Sequence, residues 1–458
     1  MLRLASSNRE PRAVFGFVLL GGSLNGAQIR DIRLANELHR RGYPVVAWWV
    51  VDRPDVSPLD DGIEERWLFH SFRYATGRPS GLLDTAGRLT CRVLNDRIRS
   101  AIAQKIPWLV AGTLKGIIRQ VCQGVESDPR LIRRFARELT ETGVTHLTET
   151  IEILAPFVEA ARKLATHPIR NVVQFQGYET YAPYASRIGL EQQMYQRIRD
   201  AVESSGGPAL TVSDCYSDRV QREVGVPKSN LLPMHPGIPI VPRMDRQKAM
   251  DLVCRQFPEY DREVPLISYL GRKDSEKGID LLLYATQILR EQAVPFQLAV
   301  CGPTAFGSRY SVACRQIAQV LKLPVLTSDF LSNELRTALF RVSHCVAYPS
   351  IHAEPFGMVP VEAMVQGTPV VVPDTGGVSQ LPFLGHQQGG LLFRSWDSGD
   401  LANQLERLLT DQALHSRLSA SAPQIASHYS VERLADRMLE FLDLAVTPNL
   451  DSLRRRAA

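Results

Sequence analysis

Apolar runs of strand length alternate with amphipathic stretches of helix length along most of this chain, and few folds accept that rhythm. It begins with Val14–Leu20 and a turn carrying Gly21, Gly22, Asn25 and Gly26. Ile29, Ile32, Ala35 and Leu38 then recur at helical spacing, Arg40, Arg41 and Gly42 close the pattern, and Val45–Val51 is strand-like again. Strand, glycine-rich turn, amphipathic helix, strand is a βαβ unit, and βαβ units imply a parallel sheet. Val172–Phe175 and Ala209–Val212 read as further strands around a helix at Leu190–Ser204. The second half repeats the scheme: strand Leu266–Leu270, helix Gly278–Glu291, strand Phe296–Val300, helices Tyr310–Leu321 and Leu335–Arg341. Strand His344–Tyr348, helix Pro360–Gln366 and strand Pro369–Val372 continue it.

A Pro- and turn-rich stretch, Leu231–Pro242, separates the halves as a natural hinge. With 458 residues, the expected fold class is α/β, two Rossmann-like doubly wound domains facing a central cleft. Such domains bind ligands at the carboxyl ends of their strands, which directs attention to the loops after Leu20, Val212, Leu270, Val300, Tyr348 and Val372. A composition of 44% hydrophobic and 22% charged residues excludes a disordered polyelectrolyte, a collagen-like repeat and a multi-pass membrane protein. The net charge of +5 is too weak a field to imply nucleic acid. Its surplus lies in residues 1–240, with 31 Lys+Arg against 25 Asp+Glu. Seven scattered cysteines without C-x-x-C spacing suit reduced thiols, so a cytoplasmic location is expected. Met1–Arg12 lacks the apolar core of a signal peptide.

Two loops carry chemistry. After Leu270 the chain reads GRKDSEKG, placing Arg272 and Lys277 around a turn that opens a helix. Arg forks onto phosphate oxygens and Lys supplies a compact point charge, so the pair suits a diphosphate; a solvated basic turn is the plainer alternative. Walker A spacing is absent. After Tyr348 the chain reads PSIHAEPFGMVPVEAM, with Glu354 in the loop and Glu362 eight residues on, about two turns into the next helix. Phe356, Gly357 and Met358 offer backbone N–H groups at that helix's N-terminus, a ready anion site. Carboxylates beside a phosphate site make sense when they take hydrogen bonds from sugar hydroxyls. Two solvated surface acids are the bland alternative.

The EPFGMVPVE segment resembles the E-x7-E motif of retaining glycosyltransferases of family 4, which have the GT-B fold. GRKDSEKG and QGTPVVVPDTGG are similar to its flanking segments, His235-Pro236-Gly237-Ile238 to its interdomain corner, and Tyr429–Leu444 to its closing helix, which crosses back onto the N-terminal domain. The resemblance is specific over the C-terminal half and only general over the N-terminal half. It implies an acceptor-side domain at 1–238, a nucleotide-sugar donor domain at 239–428, a crossover helix at 429–446 and a tail at 447–458. Arg272 and Lys277 would neutralise the diphosphate of a nucleotide-sugar donor, and Glu354 would hold donor-sugar hydroxyls. Phe356, Gly357, Met358 and Val359 would line the sugar and phosphate, Glu362 would hold the ribose, and Gly21 and Gly22 would approach the diphosphate. Arg272, Lys277 and Glu354 would be the catalytic set. The implied reaction moves a sugar to a hydroxyl acceptor with retention, in polysaccharide or glycoconjugate biosynthesis, with no cofactor beyond the donor itself.

Two departures stand out. Gln176 occupies a position where many relatives carry His, the other candidate region having its His146 out of register by about two, and Gln380 stands where relatives often have Glu. The acceptor-side candidates are therefore Asn25, Glu149, Gln176 and Tyr178. G-x-G-x-x-G, D-x-D and metal-ligand His or Cys spacings are all missing, so no metal is expected. His344 and His352 read as structural, and Asp60, Asp61, Glu64 and Glu65 as a solvated loop. Within a basic amphipathic insertion at 82–122, residues 87–122 carry seven cations, one acid and Trp108. Such a stretch suits either an anionic membrane surface on the cytoplasmic side or a peripheral helical pair packed on the sheet. A membrane contact would favour a lipid-linked saccharide as acceptor over a free saccharide or small alcohol. The competing functions are a nucleotide-sugar epimerase or hydrolase, and a degenerate nucleotide-sugar-binding subunit of an assembly complex.

Overall fold

The computed structural model describes residues 13–20, 26–50, 56–69, 129–178, 182–187, 189–304 and 308–444. They fall into two compact units. One contains the described residues up to Thr211, then Ser217–Met234 and the chain from Ala435; the other contains Val212–Tyr216 and His235–Leu434.

The first unit is built on five parallel strands: β1 (Phe15–Leu20), β2 (Val45–Val50), β3 (Glu64–Phe69), β4 (His146–Glu149) and β5 (Arg170–Val172). Their spatial order is β3-β2-β1-β4-β5, doubly wound about the central β1. β1 and β2 are apolar without alternation because both faces are covered, with Phe17, Val18, Trp48 and Trp49 at most 1% exposed. The expected single strand at Val172–Phe175 is corrected: β5 ends at Val172, and Gln174–Phe175 is a separate strand, β6. β6 joins β7 (Ala209–Thr211) and β8 (Leu231–Pro233) in a second parallel sheet. The chain changes sheets at Val173, a switch that hydrophobicity along one strand does not reveal. The acidic cluster is corrected as well. Glu64 and Glu65 begin β3, an edge strand where charge guards against pairing with other chains, and Glu65 accepts a hydrogen bond from Trp49 Nε1 at 2.6 Å.

The second unit carries β9 (Leu266–Leu270), β10 (Gln297–Cys301), β11 (Val325–Ser328), β12 (Cys345–Ala347) and β13 (Val370–Pro373). A small antiparallel pair, β14 (Phe383–Leu384) and β15 (Gln387–Gln388), precedes β16 (Gly390–Phe393). The six-stranded parallel order β11-β10-β9-β12-β13-β16 again winds outward from the first strand of the unit. Its core packs Ile267, Tyr269, Leu298 and Val371 against helix residues Leu282 and Leu405. The two chemically rich loops leave adjacent strands, β9 and β12, at their carboxyl ends. Among the described residues, no helix is long and apolar enough to cross a membrane.

Candidate active site in the second unit

Beyond β9 the chain makes one short 3-10 turn, Ser275–Lys277, and leaves it through Gly278 at φ 62°. A Cβ at Gly278 would overlap the Pro349 carbonyl oxygen and lie 2.8 Å from Ile351 Cγ2. Only glycine lets this turn press onto the loop after β12. The contact is pinned by Ile351 N–H donating to Glu276 O at 3.0 Å and Ser350 Oγ donating to the same oxygen at 3.2 Å.

Docking of these loops buries a charge cluster. Lys277 Nζ donates to Glu354 Oε2 at 2.5 Å, and Tyr348 Oη donates to the same oxygen at 3.1 Å. Lys277 Nζ also lies 3.4 Å from the Tyr348 hydroxyl and 5.6 Å from its ring centroid. The Lys277 and Glu354 side chains are only 8% and 15% exposed. Burial by itself would raise the Glu354 carboxyl, but the charges of Lys277 and His352 and the hydrogen bonds from Lys277 and Tyr348 bring it down to about 2. Burial, then the neighbouring Glu354 charge, push the Tyr348 hydroxyl far upward, so it stays a donor. Arg272 is forked between Asp274 Oδ2 at 2.7 Å and Glu276 Oε1 at 2.5 Å, while Tyr269 Oη donates to its carbonyl.

The backbone around Glu354 is equally fixed. Gly377 N–H donates to Glu354 O at 2.8 Å, and Ser213 Oγ donates to Pro355 O at 2.7 Å. Phe356 is buried against His235 and Tyr429, with ring centroids 5.6 and 5.5 Å away. The His235–Ile238 corner is bound to the same floor by Ile238 N–H donating to Tyr429 O at 2.8 Å. Gly357 then caps the helix Met358–Val365, so the amide-bearing first turn, with Met358 and Val359, starts four residues after Glu354. Glu362 lies on this helix and is ion-paired to Arg336 of the helix Asn333–Val342. Arg272, Lys277, Glu354, the Met358 turn and Glu362 thus share the carboxyl end of one sheet. A concentration of cations and a helix N-terminus beside hydroxyl-accepting carboxylates can bind a phosphorylated sugar compound.

The acceptor-side candidates belong to the first unit and meet different fates. Gln176 is half-buried; its Nε2 donates to Asp31 Oδ1 and Oδ2 at 3.3 and 3.2 Å and to Thr150 O at 3.3 Å. Asp31 is fully buried against Arg30, at 3.0 Å. Glu149 ends β4 with no solvent exposure, and burial, then the nearby Glu159 charge, push its carboxyl well above the ordinary range. Tyr178 is also fully buried, its hydroxyl donating to Glu223 at 2.7 Å, so it is a core residue and does not offer a ligand surface. Gly21, Gly22 and Asn25 lie outside the described residues, as does the insertion 82–122. Gln380 is an exposed residue of a short 3-10 turn, Gly377–Gln380. Among the described residues, no group of three or more His, Cys, Asp or Glu could hold a metal ion.

His146 starts β4, at the end of the strand opposite Glu149, and stacks on Phe15 at 5.4 Å. Burial and the Arg170 charge lower it to about 4. A base held neutral in the fold and free to protonate when unfolded makes stability fall as pH drops from about 6.5 toward 4. His146→Gln is expected to flatten that part of the stability-against-pH curve by on the order of 1–3 kcal/mol. Urea midpoints of both proteins at pH 7 and pH 4.5 measure it, and parallel curves reject it.

His344 stacks on His415 at 3.8 Å and bonds Leu408 O at 2.8 Å, a structural role. Tyr348, Arg336, Ser213 and Asp31 are the participants that sequence reasoning missed. Tyr348 had been visible only as the end of a strand. The other three carry no local signal for these contacts, since Glu362, Pro355 and Gln176 lie 26 to 145 residues away from them.

Residues 239–425 match the family model described as glycosyl transferases group 1. The D-inositol 3-phosphate glycosyltransferase of Rhodococcus erythropolis is 30% identical over 296 residues, covering 62% of this chain and 62% of that protein. The Salinispora arenicola protein of the same name is 30% identical over 304 residues, 64% of each chain. The chain thus aligns with less than two thirds of the length of these relatives. In structure it is similar to Anabaena HepE, solved in complex with UDP and glucose, with a TM-score of 0.68 and 17% identity over 94% of this chain and 99% of the other. Sucrose-phosphate synthase of Thermosynechococcus elongatus gives a TM-score of 0.68 and 17% identity, over 94% and 98%. The chain has the two-domain α/β fold called GT-B, and its residues 239–425 are similar to the glycosyl transferases group 1 family.

Proposed function

We propose that the chain transfers a sugar from a nucleotide-diphosphate sugar to a hydroxyl acceptor, with retention and without a metal. The observation that carries this is the buried Lys277–Glu354–Tyr348 cluster beside Arg272, followed by a helix N-terminus at Met358 with Glu362 about one turn further on. The group 1 match over the same residues supports it.

As the bond from sugar to diphosphate breaks, negative charge grows on the leaving oxygens. Arg272, Lys277 and the amides of the Met358 turn are preorganised for that charge, and Glu354 holds sugar hydroxyls. Glu362 holds the ribose. On the acceptor side, the Gln176 amide N–H bonds go to Asp31 and Thr150, leaving its carbonyl oxygen as the group for an acceptor hydroxyl. An amide orients a hydroxyl but takes no proton at neutral pH. The acceptor proton therefore passes to a leaving-diphosphate oxygen, on the same face of the sugar, which gives retention. HepE binds UDP and glucose, and the curated relatives bear the name of inositol 3-phosphate enzymes, so UDP-sugars and polyol phosphates are the first compounds to try.

The test measures nucleotide diphosphate release from UDP-, GDP- and ADP-sugars, with and without polyol phosphates, saccharides and a lipid extract. Release that requires an acceptor is expected. Equal release without one indicates hydrolysis, and donor binding without any release indicates a non-catalytic subunit; either result overturns the proposal.

A further inference from the structure

We propose that Arg336 is a specificity-determining positioning residue that sets the Glu362 carboxylate for the two ribose hydroxyls of the nucleotide. The inference rests on the reading of Glu362 as the ribose-binding residue. It begins from an ion pair between neighbouring helices: Arg336 Nη2 donates to Glu362 Oε2, with side chains 34% and 13% exposed.

The place of Arg336 is electrostatically odd. It is the fourth residue of the helix Asn333–Val342, whose N-terminus is capped by Ser332 Oγ accepting from Leu335 N–H at 3.1 Å. The positive end of the helix dipole lies there, and a cation in that turn is disfavoured unless an anion compensates it. Glu362 is that anion. The guanidinium is also seated 5.6 Å from the centroid of the Phe340 ring, one helical turn on. Phe340 is itself fixed, 3% exposed and with its carbonyl accepting from Thr368 Oγ1. Arg336 is therefore held from below by an aromatic face and points a fixed fork at one oxygen of Glu362.

That geometry suits hydroxyl recognition. A carboxylate offers about four acceptor positions, and an arginine on Oε2 does not exhaust them. Adjacent ribose hydroxyls donate best to a carboxylate whose plane is already set, because no rotamer must then be ordered on binding. Without Arg336, the Glu362 carboxylate loses its fixed orientation.

The discriminating readout is a ratio of affinities. Binding of UDP, 2′-deoxy-UDP and 3′-deoxy-UDP, with the GDP series in parallel, is measured by calorimetry on the intact protein and on Glu362→Gln, Arg336→Met and Arg336→Lys. Pyrophosphate serves as a ribose-free control. The unaltered protein is expected to prefer ribose over each deoxy form about tenfold. Glu362→Gln should bring that preference to about twofold or less. Arg336→Met should do the same while pyrophosphate binding holds, and Arg336→Lys should restore part of it. If Glu362→Gln removes the preference and Arg336→Met keeps it, the inference about Arg336 is overturned and the ribose reading stands. A preference untouched by Glu362→Gln overturns the ribose reading itself. If Arg336→Met weakens nucleotides and pyrophosphate alike with the ratio intact, Arg336 is merely structural and the inference fails.

Discussion

Lys277→Ala is expected to cut turnover at least 100-fold, a loss on the order of 3 kcal/mol in the transition state. On the proposed mechanism Lys277 is the buried cation of the donor site and its interaction grows as charge develops on the leaving diphosphate, so kcat should fall more than donor KM rises. A second signature follows from the Glu354 carboxyl, which sits at about 2 because Lys277 and His352 oppose the effect of burial. With a carboxyl that low, Glu354 stays ionised above about pH 4 and contributes no acid limb to the rate there. Removing Lys277 takes away the larger of the opposing charges, so burial raises the carboxyl and an acid limb should appear at higher pH. Steady-state rates from pH 4 to 8 measure both effects. A variant within tenfold of normal turnover, with an unchanged pH profile, would remove Lys277 from the mechanism.

Gly278→Val should cost the fold rather than the chemistry alone. The residue stands at φ 62°, and a side chain there meets the Pro349 carbonyl oxygen and Ile351 Cγ2. A β-branched residue in left-handed backbone costs about 1–2 kcal/mol, and overpacking against a fixed carbonyl adds about 1–3 more. A total near 3 kcal/mol lowers Tm by about 6–12 °C in a unit of about 200 residues. Because the same contact seats Lys277 against Glu354 and Tyr348, turnover should fall along with it. A thermal melt superimposable on that of the unaltered protein would show that the two loops do not need this close approach.

The cluster proposed as the donor site was legible in the sequence because its residues are nearly contiguous. Arg272 and Lys277 share one eight-residue loop, and Glu354 and Glu362 flank one helix start, so residue type and spacing carry the signal. What sequence could not supply is what those residues are paired with. Tyr348 reads as one more apolar strand residue until the fold sets its hydroxyl on Glu354. Arg336 reads as a surface arginine of an amphipathic helix until a neighbouring helix brings Glu362 to it. The Val172–Phe175 run shows a different blindness, since periodicity reports burial along a strand but not which sheet the strand enters. Tyr178, beside Gln176 in the chain, was drawn toward the site by proximity in sequence, whereas its ring belongs to a core with Phe175 and Tyr195.

The unit that holds Glu354 is not a continuous stretch of chain. It includes Val212–Tyr216, and Ser213 from that short piece bonds the carbonyl of Pro355, the residue after Glu354. Cutting out residues 239–425 would keep the motif but leave behind Ser213 as well as His235, which packs on Phe356 and donates from Nδ1 to the Val212 carbonyl at 3.1 Å. The heritable module is therefore larger than the stretch a family model recognises. Recombination between relatives, natural or engineered, would transmit the Glu354 loop with its supports only when the 212–216 and 235–238 segments travel with it from the same parent.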